Sequence, residues 1–412
     1  MHYFEYKNGS MHAEEVPVAD LAREYGTPLY VYSASTLRRH FKAFDSAFNG
    51  LEHLTCFSVK ANSNISVLRM MAELGGGMDI VSGGELFRAL KAGVPGNKIV
   101  YSGVGKKDHE IREALAADIL MFNVESMQEL SRINDIALDM GRVARISFRI
   151  NPDVDPKTHP YISTGMKKNK FGLDIEHSRK AYDLALELPG IDPVGMDCHI
   201  GSQLTSIEPF METLEKLLRF YNELEEKGVH IRYLDLGGGL GITYDQEEPP
   251  HPEEFGKALT DALKGLPLTL ILEPGRVIAG NMGILVTEVQ YLKSTPSKNF
   301  VIVDAAMNDL VRPALYQSYH GIGEVEPRGR ACKVYDVVGP ICETSDFLAR
   351  DRELPETEQG ELLAVYSAGA YGFTMASNYN SRPRPAEVMV DGEKVSVIRK
   401  RETYQDLVAL EL

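Results

Sequence analysis

Cysteine is scarce in this sequence: Cys56, Cys198, Cys332 and Cys342 are the only four in 412 residues. No two stand in a C-x-x-C spacing, so neither a zinc site nor a disulfide framework is expected to organise the fold, and no metal is expected. Few, unpaired thiols suit a reducing cytoplasm. A basic excess is missing too. The formal net charge is −15, spread along the chain, which favours solubility and argues against nucleic acid or an anionic membrane as partner. The opening MHYFEYKNGS has no basic-then-apolar leader, and no apolar run approaches the roughly 20 residues of a spanning helix. Internal repeats, low-complexity tracts and long flexible linkers are absent as well.

What remains is a chain long enough for one barrel-sized domain and a second, smaller one. From about residue 35 to 275, strand-like runs alternate with amphipathic stretches. The runs are LTCFSV (54–59), MDIV (78–81), KIVYS (98–102), DILMF (118–122), VARISFRI (143–150), PVGMDCHI (193–200), RYLDL (232–236) and LTLILE (268–273). Between them lie helical patterns such as FMETLEKLLRFYNELEEKG, which ends on Gly228, a C-cap residue. Eight strands with intervening helices fit a closed (β/α)8 barrel or a large open doubly wound sheet, and periodicity leaves both open. Polar placement favours the barrel: Lys60, Asp79, Ser82, Asn123, Asn151, His199, Gly237 to Gly239 and Glu273 fall at or just past C-terminal strand ends. Barrel enzymes keep their chemistry at that end. After Arg276, short β-rich runs broken by Gly, Pro and Asp (GILVTEVQYLKS, NFVIVDAA, CKVYDVVGPIC, ELLAVYSAG, AEVMVDGEKVSVI) predict an antiparallel β-domain. The expected class is therefore α/β, with a barrel over 35–275 and a β-rich domain from 1–34 plus 276–412.

Five features could carry chemistry. Lys60, in FSVKAN, would point into a barrel mouth, where partial desolvation frees its amine to attack a carbonyl. LDLGGGLGI (234–242) places glycines after the seventh strand, a usual phosphate site in barrels; it is neither a Walker loop nor GxGxxG, and GVGKKD (103–108) fails the Walker test also. Glu273, in LEPGR, could hold a pyridine nitrogen protonated. His199, in DCHIGSQ, could stack on a planar ring or act as a base. Cys342, in GPICETSDF, follows a β-run of the second domain. Taken singly, each has a plain structural alternative: a solvated lysine, a tight turn, a barrel-closing carboxylate, a hydrogen-bonded core histidine, an inert thiol.

Together these segments resemble the alanine-racemase-like (fold type III) decarboxylases that use pyridoxal 5'-phosphate (PLP), from TPLYVYS near residue 27 to AGAYGF near 368. The resemblance implies that Lys60 carries the cofactor as a Schiff base and that His199 packs on its face. It implies Ser202 with Gly237, Gly238 and Gly239 near the phosphate, Glu273 at the ring nitrogen, and Tyr371 (AGAYG) again at the phosphate. It implies substrate contacts by Arg276 (EPGR), Arg312 and Tyr316 (RPALY). Cys342 and Glu343 (CETSDF) would reach the active site of a partner subunit, making the protein a homodimer with shared sites. The segment RINPDVDPKTHPYISTGMKKNKFG (149–172) is especially like one branch of the family. Ser58, Thr344 and Asp197 differ from residues frequent in the family, and Asp197 leaves the hydrogen bonding beside His199 open.

A ring-nitrogen carboxylate suits decarboxylation, since a protonated pyridine is the stronger electron sink. Racemases of this fold have an arginine there. A thiol such as Cys342 can return a proton to the α-carbon. An amino acid ending in a lone ammonium would leave Arg276 and Arg312 unpaired. With Glu343 opposite, they point to a substrate whose distal end carries both ammonium and carboxylate. Three rivals stand beside this reading. A relative acting on another basic amino acid is the first. A non-catalytic regulator should have lost Lys60 or Cys342. A barrel hydrolase using Glu273 with Asp79 leaves Lys60 and GGGLG without purpose.

Overall fold

A computed structural model describes residues 2–154 and 170–411. Most of the 149–172 segment therefore lies outside the described residues. The chain divides into two compact units, one of Phe41–Ile242 with Glu248–Arg276, the other of Met1–His40, Thr243–Glu247 and Val277–Leu412.

The first unit is a closed barrel of eight parallel strands. They are β1 (His53–Ser58), β2 (Gly77–Ile80), β3 (Ile99–Tyr101), β4 (Met121–Val124), β5 (Ala144–Arg149), β6 (Ile191–Asp197), β7 (Tyr233–Asp235) and β8 (Thr269–Leu272). β8 pairs with β1 through Leu270↔His53, which closes the ring and removes the open-sheet alternative. The helices between strands are fixed by local chemistry. Ser82 and Ser126 cap the helices Gly83–Lys91 and Met127–Asp139 by accepting N–H bonds from Glu85 and Glu129. The helix Glu208–Glu226 buries Phe210, Leu214, Leu217, Tyr221 and Leu224 on one face, and Gly228 beyond it adopts φ +81°. β4 begins three residues later than its sequence run: Asp118 takes a left-handed φ of 50° and spends the first residues turning out of the preceding helix.

Strand alternation builds the interior in layers. Cys56, Val100, Met121 and Ile271 pack together in an apolar layer, with Tyr233 against it. Two residues on along the same strands stand Ser58, Ser102, Asn123, Glu273 and Asp235, all five of which hydrogen-bond to one another or to Glu273's carbonyl. The barrel floor is thus apolar and its C-terminal rim polar.

The second unit carries a nine-stranded sheet. Leu29–Ser33 lies inside it, antiparallel to Gly283–Ser294 but parallel to Ala386–Asp391. Asn299–Val303 and Cys332–Val338 form a second parallel pair. The sheet is thus mostly, not wholly, antiparallel, because these partners arrive by long crossovers rather than hairpins. Val31, Ile284, Val286, Val388 and Val390 form its core, on which Met11 and Val18 pack. A hairpin of Phe4–Lys7 and Ser10–Ala13 turns at Asn8-Gly9, both at positive φ, as a two-residue turn requires. No described helix is long and apolar enough to cross a membrane.

Glu14 ties this hairpin down. Its buried carboxylate accepts from Ser33 Oγ (2.7 Å), Ser35 N (2.8 Å), Ser35 Oγ (2.8 Å) and Gly392 N (2.6 Å). Removing it leaves several donors unmatched, so Glu14→Ala should lower stability by about 2–4 kcal/mol in urea unfolding. A loss under about 0.5 kcal/mol, the ordinary surface level, would contradict this role.

Candidate active site

In the barrel unit Lys60 sits in a turn immediately after β1. Its Nζ donates to Asp79 Oδ2 at 2.7 Å, and Ser58 Oγ lies 2.8 Å from the same oxygen. Asp79 is fully buried, and its Oδ1 has no partner among the described residues. Past β8, Glu273 is buried and its Oε1 lies 3.2 Å from Ser102 Oγ. Asp197, Asp235 and Glu273 each offer an oxygen within 4.8 Å of the others'. Burial, then the charge of the neighbouring carboxylates, raises all three well above the usual carboxylate range. Arg149, buried beside them, bonds Glu125 Oε1 at 3.0 Å. Five acids (Asp79, Glu125, Asp197, Asp235, Glu273) thus share two nearby cations, Lys60 and Arg149, among the described residues.

His199 is partly buried. Gly238 N donates to its Nδ1 at 3.2 Å. Burial, then the charges of Arg149 and Lys60, hold it well below the usual histidine range. The ring is therefore neutral, with its proton on Nε2. The glycines here are sterically required: a Cβ on Gly237 would stand 2.6 Å from His199 Nδ1, and one on Gly238 2.2 Å from the Glu273 carbonyl oxygen. Ser202 Oγ accepts from Arg276 Nη2 at 3.1 Å, joining two residues from separate motifs. Lys60, His199, Ser202, Gly237 to Gly239, Glu273 and Arg276 accordingly all belong to the barrel unit.

Arg312, Tyr316, Cys342, Glu343 and Tyr371 belong to the β unit. Arg312 opens a one-turn helix, Arg312–Tyr316, and is buried; Nη1 donates to Tyr244 Oη at 3.0 Å and Nη2 to Ser318 Oγ at 3.1 Å. Its guanidinium also lies 4.7 Å from the Tyr244 ring centroid. Cys342 is exposed, and its N donates to Asn380 Oδ1 at 3.0 Å. Tyr379 Oη donates to Glu343. Tyr371 is half-buried and holds a left-handed φ of 56°, unusual for a bulky residue.

Sequence reading missed Asp235, the Arg149–Glu125 pair, and Tyr244, Ser318 and Tyr379 as holders of other side chains. Asp235 carried a signal, since it lies two residues past Tyr233 on one strand face. The holders did not, because their contacts are not periodic.

The donor set fits a group that brings a cationic ring nitrogen and a phosphate. A surplus of buried carboxylates faces the rim, and a glycine turn stands beside Ser202 and Arg276. Glu85, near Asp79, is pushed by burial to about 7 from its ordinary 4.5. The native state therefore binds this proton more tightly than the unfolded chain does. The stability it contributes is complete below 4.5 and gone above about 7. Glu85→Gln should accordingly reduce, between pH 5 and 7, the loss of stability with rising pH by up to about 1.4 kcal/mol per unit. Identical pH slopes for the two proteins would contradict the assignment.

Residues 34–280 match the family model described as pyridoxal-dependent decarboxylase, pyridoxal binding domain. The chain is 56% identical to the diaminopimelate decarboxylase of Haemophilus influenzae over 100% of its length and 99% of that protein's. Among solved structures it is similar to diaminopimelate decarboxylase from Helicobacter pylori complexed with L-lysine, at TM-score 0.93 and 45% identity, covering 96% of this chain and 99% of that one. A lysine/ornithine decarboxylase from Vibrio vulnificus, at 22% identity and TM-score 0.80, covering 91% of this chain and 97% of that one, shares the fold. By its barrel, its rim residues and these likenesses, the chain belongs to the pyridoxal-dependent decarboxylases, in their diaminopimelate decarboxylase branch.

Proposed function

We propose that this chain decarboxylates meso-2,6-diaminopimelate to L-lysine and carbon dioxide with pyridoxal 5'-phosphate, in the reducing cytoplasm. The observation that carries the reading is full-length identity of 56% to a named diaminopimelate decarboxylase, in a chain whose Lys60 and Glu273 stand at one carboxylate-rich barrel rim. Lys60 would hold the cofactor through Nζ, Glu273 its ring nitrogen and His199 one ring face. Ser202, Gly237, Gly238, Gly239 and Tyr371 would hold its phosphate. When bound, the cofactor accepts the electron pair left at the substrate α-carbon as carbon dioxide departs.

The chain's own residues do the rest. Asp79, bonded to Lys60 Nζ at 2.7 Å, orients the amine and balances its charge. His199, neutral, contributes a flat face without adding a cation that would compete for Glu273. Cys342 Sγ delivers a proton to the α-carbon after carbon dioxide leaves. Arg276, Arg312 and Tyr316 grip the distal carboxylate, and Glu343 pairs with the distal ammonium. The exposure of Cys342 supports its loop serving a second copy, in a homodimer with shared sites.

Three experiments test this. A site built for a charged group rejects substrates lacking it by roughly 10⁴-fold. The loaded enzyme should therefore turn meso-diaminopimelate into chirally pure L-lysine and leave L-lysine and L-ornithine nearly untouched. Faster turnover of D-lysine, D-ornithine or carboxynorspermidine would assign a different substrate. Arg276→Ala should raise KM; a raised cofactor Kd with KM unchanged would move Arg276 to the phosphate. For the dimer, mixing inactive Lys60→Ala and Cys342→Ala proteins should restore activity once subunits exchange. Exchange without activity would refute shared sites.

A further inference from the structure

Asn123 belongs to neither the cofactor-holding nor the substrate-gripping set, yet it lies between the two carboxylates whose charge matters most. It ends the inward face of β4 and is fully buried. Its amide orientation follows from its partners: Ser147 Oγ donates to Oδ1 at 2.6 Å, and two carboxylate oxygens, Asp235 Oδ2 and Glu273 Oε1, face Nδ2. One Nδ2 hydrogen goes to Ser102 Oγ at 3.0 Å. Having accepted it, the Ser102 hydroxyl turns its own proton to Glu273 Oε1, 3.2 Å away. The other hydrogen lies between Asp235 Oδ2 at 3.3 Å and Glu273 Oε1 at 3.5 Å.

The GVGKKD loop, which fits no phosphate motif, gains a purpose here. Lys106 of that loop is buried, with its Nζ bonded to the Asn123 carbonyl (2.8 Å), the Gly103 carbonyl (2.8 Å) and Glu129 Oε1 (2.6 Å). The other Glu129 oxygen accepts from Glu125 N at 2.9 Å. A buried ion pair thereby clamps the backbone at Asn123's own carbonyl and at Glu125 N, two residues on, leaving the side chain little freedom.

We propose that Asn123 is a positioning residue: directly and through Ser102, its amide donates to the Glu273 and Asp235 carboxylates, so that Glu273 meets the cofactor's ring nitrogen as an anion. Hydrogen bonds to a carboxylate favour its charged form. Burial and the crowding of Asp79, Asp197, Asp235 and Glu273, against Lys60 and Arg149 among the described residues, already favour a proton on Glu273; without these donors they do so more strongly, and a neutral acid no longer holds the ring N–H cation. The inference rests on the role proposed for Glu273 above.

The test loads the enzyme with pyridoxal phosphate labelled with ¹⁵N at the ring nitrogen and reads its resonance. Wild type should give the protonated-ring signal and Glu273→Gln the unprotonated one. Asn123→Leu, and Asn123→Asp, should move the signal toward the unprotonated position and lower kcat by about 10- to 100-fold, with KM within about twofold. The double variant N123D/D235N exchanges amide and acid without changing the cluster's charge. It should return the signal toward wild type and recover about tenfold in kcat over N123D, a rescue that a purely structural asparagine does not provide. If N123L does not fold, N123D against the double variant decides alone. A Glu273→Gln protein with the wild-type signal refutes the role of Glu273, and this proposal with it. A shifted Glu273→Gln signal with unshifted Asn123 variants, or a double variant no better than N123D, refutes this proposal alone.

Discussion

Among the described residues, the carboxylates at the barrel's C-terminal rim outnumber their neighbouring cations, and the rest of the site is arranged around that imbalance. Asp79, Glu125, Asp197, Asp235 and Glu273 are all buried, while Lys60 and Arg149 supply the neighbouring positive charge. Buried like charges strongly disfavour full ionisation. Neutral donors moderate the repulsion: Ser58 at Asp79, Gly237 N at Asp235 Oδ1 (2.9 Å), Ser102 and Asn123 at Glu273. The remaining deficit is one that a cationic ring nitrogen satisfies. Cofactor binding and fold stability are therefore coupled, because a ligand that binds only the native state stabilises it.

The neutral state of His199 follows from the same electrostatics. Burial, then the charges of Arg149 and Lys60, disfavours an imidazolium, and Gly238 N supplies a donor to Nδ1. That bond needs the glycine turn, since Cβ atoms at Gly237 and Gly238 would collide with His199 and with Glu273's backbone. The GGGLG motif thus lets β6, β7 and β8 end close together. Asp197 answers the question its sequence raised, for it is buried, and its Oδ1 has no hydrogen-bond donor among the described residues.

The barrel was legible because a period of two reports directly on which side chains face inward. In β1, Cys56 and Ser58 step from apolar floor to polar rim, and LTCFSV (54–59) shows that step in its letters. Asn123 and Asp79 were visible as strand-end polar residues, but not that one bonds Asp235 and the other Lys60. Those pairings depend on strand register across the ring. In the β unit the gap is wider. Glu14 bonds groups 19 and 378 residues away, and Arg312 is held by Tyr244, 68 residues earlier. No local pattern encodes such partners. The parallel placement of Leu29–Ser33 beside Ala386–Asp391 escaped reading for the same reason.

The central claim is that Lys60, at the lip of this acidic rim, is the lysine that bonds the cofactor. Borohydride reduction of the pyridoxal-phosphate-loaded protein, followed by peptide mapping, tests it most directly. The account predicts one reduced adduct, on Lys60, with loss of the visible absorption band. An adduct on another lysine such as Lys106, or bound cofactor with no adduct, would contradict it.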